Sequence, residues 1–147
     1  MAIEFKVGNK NVEIKFNYRL VFKLNSKLSS EPGADNGAGL VYAKLKSGDE
    51  SAIHDIVRVA SGVTKEDDII DAVGNKAAEM DESDVSKGLD MLIDAFTKEI
   101  ENSGFFMRKL KIFKKNVLNS KDQMSKEKDD DKIKSVDALL QTLKDVN

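Results

Sequence analysis

Apolar and charged residues alternate along the first 16 positions of the chain. The apolar ones form two runs on either side of Gly8-Asn9: Ile3, Phe5, Val7, Val12, Ile14 and Phe16. A period of two places such residues on one face of a β-sheet and the intervening charges on the other. Gly8 and Asn9 tolerate the positive φ that a tight turn requires. The pattern predicts a β-hairpin with a buried apolar face, because two strands alone are marginally stable in water.

Helical spacing begins after Asn17, a residue type that caps helix N-termini well. The apolar stripe of this first helix contains Leu20, Val21, Leu24 and Leu28. Tyr18 and Phe22 lie on the adjacent flank, so the apolar arc is wider than the roughly 100° needed to face one core. Two interpretations stay open: the helix packs between the hairpin and a second helix, or the flank of Tyr18 and Phe22 binds a partner protein.

The middle of the chain predicts a loop and then several helices. Residues 29–39 contain the only proline and three glycines but no large apolar side chain, which predicts an exposed mobile loop. A short helix is expected over 40–46, and Gly74-Asn75 is expected to break a later one, in which Ile69 and Ile70 point inward. Helical spacing of apolar residues recurs in four longer segments: 53–60, 64–73, 85–100 and 105–118.

The last 29 residues differ in kind from the rest. Nine of the 14 residues in 119–132 are charged, which predicts a solvated linker or a frayed helix. A final amphipathic helix follows, with a stripe of Ile133, Val136, Leu140 and Leu143. The expected fold class is α+β: an N-terminal antiparallel β-hairpin packed on a mostly α-helical bundle. We expect one domain over 1–118, and a mobile charged linker with a C-terminal amphipathic helix over 119–147.

Composition narrows the function classes. The charged fraction is 34%, above the usual quarter, yet the net charge is only −2, so whole-molecule electrostatics favour neither nucleic acid nor an anionic membrane. The absence of cysteine excludes disulfides, thiolate metal sites and cysteine nucleophiles. Residues 1–15 do not resemble a signal peptide, and no apolar run approaches the ~18 residues that span a bilayer. An intracellular location is therefore expected.

No arrangement of residues predicts a catalytic, cofactor or metal site. His54 is the only histidine and has no nucleophile pattern around it. The acidic cluster at 66–71 lacks the spacing of a calcium loop, and the run of three aspartates at 129–131 is interpreted as a solvated segment and not as a magnesium site. The basic segment 107–115 carries five cations and could contact phosphates, although it has no helix-turn-helix spacing. An enzyme is the weakest hypothesis, and a nucleic-acid-associated regulator that uses 107–115 stays open.

The order of elements nevertheless resembles a known family. Residues 12–19 read VEIKFNYR, an aromatic-asparagine-tyrosine start to a helix that resembles tail assembly chaperones of long-tailed phages (siphoviruses) of Gram-positive hosts. A glycine-rich segment, GLVYA at 39–43, the helix of 53–60, the segment 64–73 and SGFFMRKL at 103–110 then follow in the same order. The resemblance covers residues 1–118 and leaves 119–147 unmatched.

The resemblance implies a non-enzymatic assembly factor of a phage or prophage. Such proteins act in the host cytoplasm, bind the tape measure protein, keep it soluble, promote polymerisation of tail-tube protein around it, and are absent from the mature virion. A structural tail component that stays in the particle is a further hypothesis. We expect no cofactor, nucleic-acid or membrane partner, and we predict self-association through the hairpin edges. The expected partner-binding residues are Tyr18, Phe22, Ile133, Val136, Leu140 and Leu143.

Overall fold

The computed structural model describes residues 3–147 as an antiparallel hairpin followed by seven helices. This architecture confirms the predicted α+β class with a helical bundle. The elements are β1 (Ile3–Val7), β2 (Lys10–Ile14), α1 (Tyr18–Leu28), α2 (Gly37–Lys46), α3 (Ser51–Ser61), α4 (Glu66–Met80), α5 (Val85–Glu101), α6 (Gly104–Glu127) and α7 (Asp130–Thr142). None of the helices in the described range is long and apolar enough for a membrane span.

The hairpin has the register that its alternating pattern predicts. Val7 pairs with Lys10, which leaves Gly8-Asn9 as a two-residue turn. Only the first of these two residues has a positive φ, 62° at Gly8, as in a type II′ turn. One face of the sheet is buried against α3 and α4. Its side chains, Ile3, Phe5, Val7, Val12 and Ile14, are each 8% exposed or less, which confirms the predicted apolar face.

Helix α2 lies at the centre of the bundle and contacts α1, α3, α5, α6 and α7. Tyr42 is fully buried there and its hydroxyl donates a hydrogen bond to Glu101 Oε2 at 2.9 Å, which joins α2 to α5. Burial, together with the neighbouring Glu101 carboxylate, raises the pKa of Tyr42 above its ordinary value. The hydroxyl therefore stays protonated and keeps donating over the physiological pH range.

The glycines before α2 serve helix packing, so the loop predicted over 29–39 is too long. Helix α2 starts at Gly37, and Gly37 and Gly39 are both buried. A Cβ on Gly37 would lie 2.1 Å from the carbonyl oxygen of Leu24 in α1, and one on Gly39 would lie 2.3 Å from the Phe113 ring in α6. Two glycines thus let α2 approach both neighbours closely. Their small size made a buried helix resemble an exposed loop.

Helix α4 runs unbroken through Gly74-Asn75, so the predicted break is wrong. A Cβ on Gly74 would meet nothing within 4 Å, and α4 is stabilised here by its contacts with the hairpin and α5. Ile69 is buried as expected, whereas Ile70 is 47% exposed. Tertiary packing outweighs the weak helix propensity of one glycine.

Residues 119–127 continue α6 instead of forming a linker. The sequence left two alternatives for 119–132, a solvated linker and a frayed helix. The segment is helical as far as Glu127, and most of its side chains there are exposed. Lys128, with φ of 55°, ends α6 and reverses the chain so that α7 packs against α6. Lys121 Nζ lies 2.6 Å from Asp137 Oδ1 across this pair of helices. The domain boundary at 118 falls inside α6 and stays a prediction.

Candidate protein-binding surface

The N-cap of α1 decides which of its side chains face solvent. Asn17 Oδ1 accepts a hydrogen bond from the Leu20 backbone N at 3.0 Å, so the helix begins at Tyr18 as predicted. From that start, Leu20, Val21 and Leu24 are buried. The same helical phase directs Tyr18 and Phe22 outward.

Three aromatic side chains form one exposed cluster at the junction of α1 and α6. Tyr18 is 58% exposed, Phe22 63% and Phe105 55%. The rings of Tyr18 and Phe22 are stacked with centroids 6.4 Å apart, and Phe105 meets Tyr18 edge-on at 5.4 Å. We call Tyr18, Phe22 and Phe105 the aromatic patch. A contiguous exposed apolar patch of this kind is a candidate interaction site.

Phe105 belongs to this site although sequence reasoning did not select it. Ser103 Oγ accepts a hydrogen bond from the Phe106 backbone N, so α6 starts at Gly104 with Phe106 fully buried. Neighbouring residues on a helix point about 100° apart, so Phe105 turns away from the core. The signal was present in the sequence: of two adjacent aromatics in a helix, only one can occupy the centre of the buried face.

The predicted stripe on α7 is covered by the protein's own chain. Val136 and Leu143 are buried, while Ile133 and Leu140 are half-buried. The stripe faces α6 and α2, where Leu40, Phe113 and Val117 lie beneath it. The six predicted partner-binding residues therefore occupy two surfaces, one open and one closed.

These two surfaces lie on different parts of α6. The aromatic patch meets the first turn of α6 through Phe105, whereas α7 and the residues after it lie beside Phe113, Lys114 and Lys121, further along α6. Lys114 Nζ donates to the Val146 carbonyl oxygen at 2.5 Å, and Lys46 Nζ lies 3.0 Å from Asp145 Oδ2. The hydrogen bond and charge of Lys46 lower the pKa of the Asp145 carboxyl. The C-terminal end of the chain is thus anchored by both polar and apolar contacts.

Open clefts lie on both sides of α7. One, of about 570 Å³, separates its outer residues Ala138 and Thr142 from α2 and α3. The other, of about 420 Å³, lies between Val136, Met124 and the loop before α2. Leu139 lines both. These two clefts leave part of the surface of α7 without close-packed neighbours.

Two of the five cations in the basic segment 107–115 of α6 contact other parts of the chain. Lys109 pairs with Asp35 at 3.3 Å, and Lys114 donates to the chain after α7. The other three cations, Arg108, Lys111 and Lys115, are exposed. His54 is half-buried in α3, and the described residues contain no group of acidic or histidine side chains that could hold a metal ion.

Comparison with family models gives one match, to a family described as phage tail assembly chaperone protein, TAC, over residues 4–115. The matched segment contains the hairpin from Glu4 onward, helices α1 to α5 and the first half of α6, and with them the whole aromatic patch. It ends before α7. Comparison with curated proteins and with solved structures gives no match.

Proposed function

Because this chain belongs to the phage tail assembly chaperone family, we propose that it binds the tape measure protein of its phage, keeps that protein soluble, and promotes polymerisation of tail-tube protein around it. The observation that carries the proposal is the aromatic patch within the family-matched segment. An amphipathic helix that presents apolar residues at helical spacing fits such a surface. A function of this kind needs no catalytic group.

The size of the patch suits reversible binding. An aromatic side chain can bury about 150–250 Å², so three rings that are more than half exposed offer roughly 100 Å² each. At about 25 cal/mol per Å², this burial contributes on the order of 7 kcal/mol before the cost of association. One contact is therefore weak. Many copies of the chaperone bound along a long client would keep the client soluble, and each copy could dissociate as tube subunits arrive.

The stripe of α7 is the second proposed partner surface. Ile133, Val136, Leu140 and Leu143 cover apolar surface on α2 and α6 that a client helix could also use. A helix of 13 residues is marginal by itself, so its displacement is energetically accessible. We propose that α7 occupies this surface until a client helix exchanges with it.

The cellular setting is part of the same proposal. We place the protein in the cytoplasm of a Gram-positive host during siphovirus assembly and outside the mature virion. A structural tail component would instead stay in the particle. Mass spectrometry of purified virions distinguishes the two, because a chaperone is expected to be depleted relative to tail-tube protein and a component is present at fixed stoichiometry.

A nucleic-acid-associated regulator is the second candidate, since Arg108, Lys111 and Lys115 leave exposed positive charge on α6. Phosphate contacts weaken steeply with salt. A gel-shift assay with duplex DNA should show no complex at 150 mM salt if the chaperone proposal is right. A complex whose affinity falls by orders of magnitude between 50 and 200 mM salt would support the regulator.

Co-expression tests the leading proposal. The tape measure protein of the same phage is expressed with and without this chain, and its amount in the supernatant after centrifugation is measured. We expect it to be soluble only with the chaperone, and to sediment when the chaperone carries both Phe22→Asp and Phe105→Asp. Equal solubility with and without the wild-type chain would overturn the proposal. Circular dichroism confirms that the variant is folded.

A further inference from the structure

The solvent face of α1 consists of two parallel ridges. Tyr18, Phe22 and Ser26 form the first, which is mainly aromatic; one position later, Arg19, Lys23 and Lys27 form the second, which is entirely basic. All six side chains are exposed and line one shallow groove. Residues four apart lie above one another on a helix, so the ridges run side by side along its length.

The cations of the basic ridge have no ion-pair partner among the residues that the structure describes. Helix α1 contains no acidic residue, and Arg19, Lys23 and Lys27 form no ion pair with any residue in 3–147. Glu13 lines the adjoining cleft, but its ion pair is with Lys15 at 3.9 Å.

Some lysines on other helices do have intramolecular partners. Lys98 pairs with Asp94 at 2.9 Å, and Lys44 pairs with Asp55 at 3.0 Å. Like charges four residues apart disfavour a helix. Three of them on successive turns, in a chain of net charge −2, therefore indicate a surface whose counter-charges come from another molecule.

We infer that this double ridge binds an amphipathic helix whose apolar stripe is bordered on one side by acidic residues. The inference rests on the proposed function, which makes that helix a segment of the tape measure protein. Ridges of residues spaced by four on two helices interdigitate, so client side chains at this spacing would pack beside Tyr18 and Phe22. Client carboxylates one position away would then lie opposite Arg19, Lys23 and Lys27. Phe105 closes one end of the apolar ridge.

The arrangement gives the surface a basis for selection. Apolar contacts with the rings accept many sequences, whereas the basic ridge attracts acidic borders and repels basic ones. Since the ridge is exposed, its contribution is screened by salt. The apolar contribution is not screened in this way, so the two can be measured separately.

Two synthetic helical peptides test the inference against the full chain. They share the same leucine stripe and differ only along one border, which carries glutamate in one peptide and lysine in the other. Fluorescence anisotropy should show the glutamate peptide binding at least tenfold more tightly at 50 mM NaCl, and within about threefold at 500 mM, because screening becomes strong. The triple variant R19E/K23E/K27E should reverse the preference.

A matched control separates the ridge from net charge. The triple variant K65E/K126E/K134E makes the same change in total charge at exposed sites outside α1, and should keep the preference for the glutamate peptide. The inference is overturned if neither peptide binds, if both bind equally at low salt, or if the control reverses the preference as strongly as the α1 variant. Solubility of the co-expressed tape measure protein is unaffected by these results, so the proposed function can stand while this inference fails.

Discussion

The hairpin and α7 are both amphipathic and both too short to be stable alone, yet they depend on the bundle in different ways. The apolar face of the hairpin is buried along its whole length, and Phe5 meets Phe96 of α5 edge-on at 6.0 Å. In α7 only Val136 is buried within the helix, with Leu143 and Val146 just beyond it. Clefts lie on both sides of α7.

This difference indicates that the hairpin is part of the core, whereas α7 is an element that covers the core. Apart from Ile3, the hairpin lies within the family-matched segment 4–115, whereas α7 lies outside it. The hairpin residues are part of the core, so a client segment cannot take their place. Because α7 is flanked by open clefts, we propose that a client helix can replace it by supplying similar apolar contacts.

The largest expected effect is on the hairpin side of the comparison. Phe5→Ala or Ile14→Ala should lower the free energy of unfolding by about 2–5 kcal/mol, because each leaves a cavity in a packed core. Urea denaturation measures this. Midpoints within error of wild type for both variants would mean that the hairpin face is not core, and the contrast with α7 would disappear.

A pair of glycine substitutions tests the close packing of α2, the helix that α7 partly covers. Gly37→Ala should destabilise the protein by about 2–3 kcal/mol, since its Cβ would meet the backbone of α1 at 2.1 Å. Gly74→Ala, in a helix interior with open space around it, should stabilise by about 0.5–1 kcal/mol. Thermal unfolding of both variants is the measurement. The same sign for both would contradict the packing described for α2.

The third prediction concerns removal of α7. Deleting 129–147 exposes apolar surface but also removes the entropy cost of ordering this segment, about 1–2 kcal/mol per residue, so the two effects largely cancel. We expect a change below about 2 kcal/mol in urea, and tighter binding of a tape measure fragment. Hydrogen exchange of intact protein should be faster in α7 than in β1 and β2. A deletion variant that unfolds would show that α7 is part of the core.

The smallest effect concerns the hairpin edges, which have no strand partner within residues 3–147. We predict weak self-association by strand addition. Glu4 and Lys6 lie on either side of Phe5, whose pair with Val12 is hydrogen-bonded. Such pairs alternate with non-hydrogen-bonded ones along antiparallel strands, so the backbone N–H of Lys6 points away from β2. Sedimentation velocity over a wide concentration range should show dimers that Lys6→Pro removes. A monomer at every concentration would eliminate this idea.

How well the sequence predicted each element follows from where its determinants lie. The hairpin and α1 are encoded locally, by a period of two, a glycine turn and the Asn17 cap, and the structure confirms them. The role of Gly37 and Gly39 depends on Leu24 and Phe113, which are distant in sequence, so it was mistaken for a loop. The end of α6 also depends on a tertiary contact, because its charged residues are helical where α7 packs beside them.

The residues of the candidate site also differ in whether local sequence or tertiary structure determines them. Helical phase predicted that Tyr18 and Phe22 share a flank, but only tertiary structure brings Phe105 to them. For α7, the apolar spacing was correct, whereas the surface that covers it could not be identified from spacing. Periodicity tells which residues share a face, and topology tells what that face meets.

The most direct test is a calorimetric titration of a tape measure fragment into the full-length chain and two variants. Phe22→Asp places a charge in the aromatic patch, and Val85→Asp makes a similar change at an exposed apolar residue in the first turn of α5. We predict that Phe22→Asp weakens binding at least tenfold, that Val85→Asp leaves it within twofold, and that both unfold as wild type does. Unchanged affinity of folded Phe22→Asp would contradict the assignment of this surface to the client.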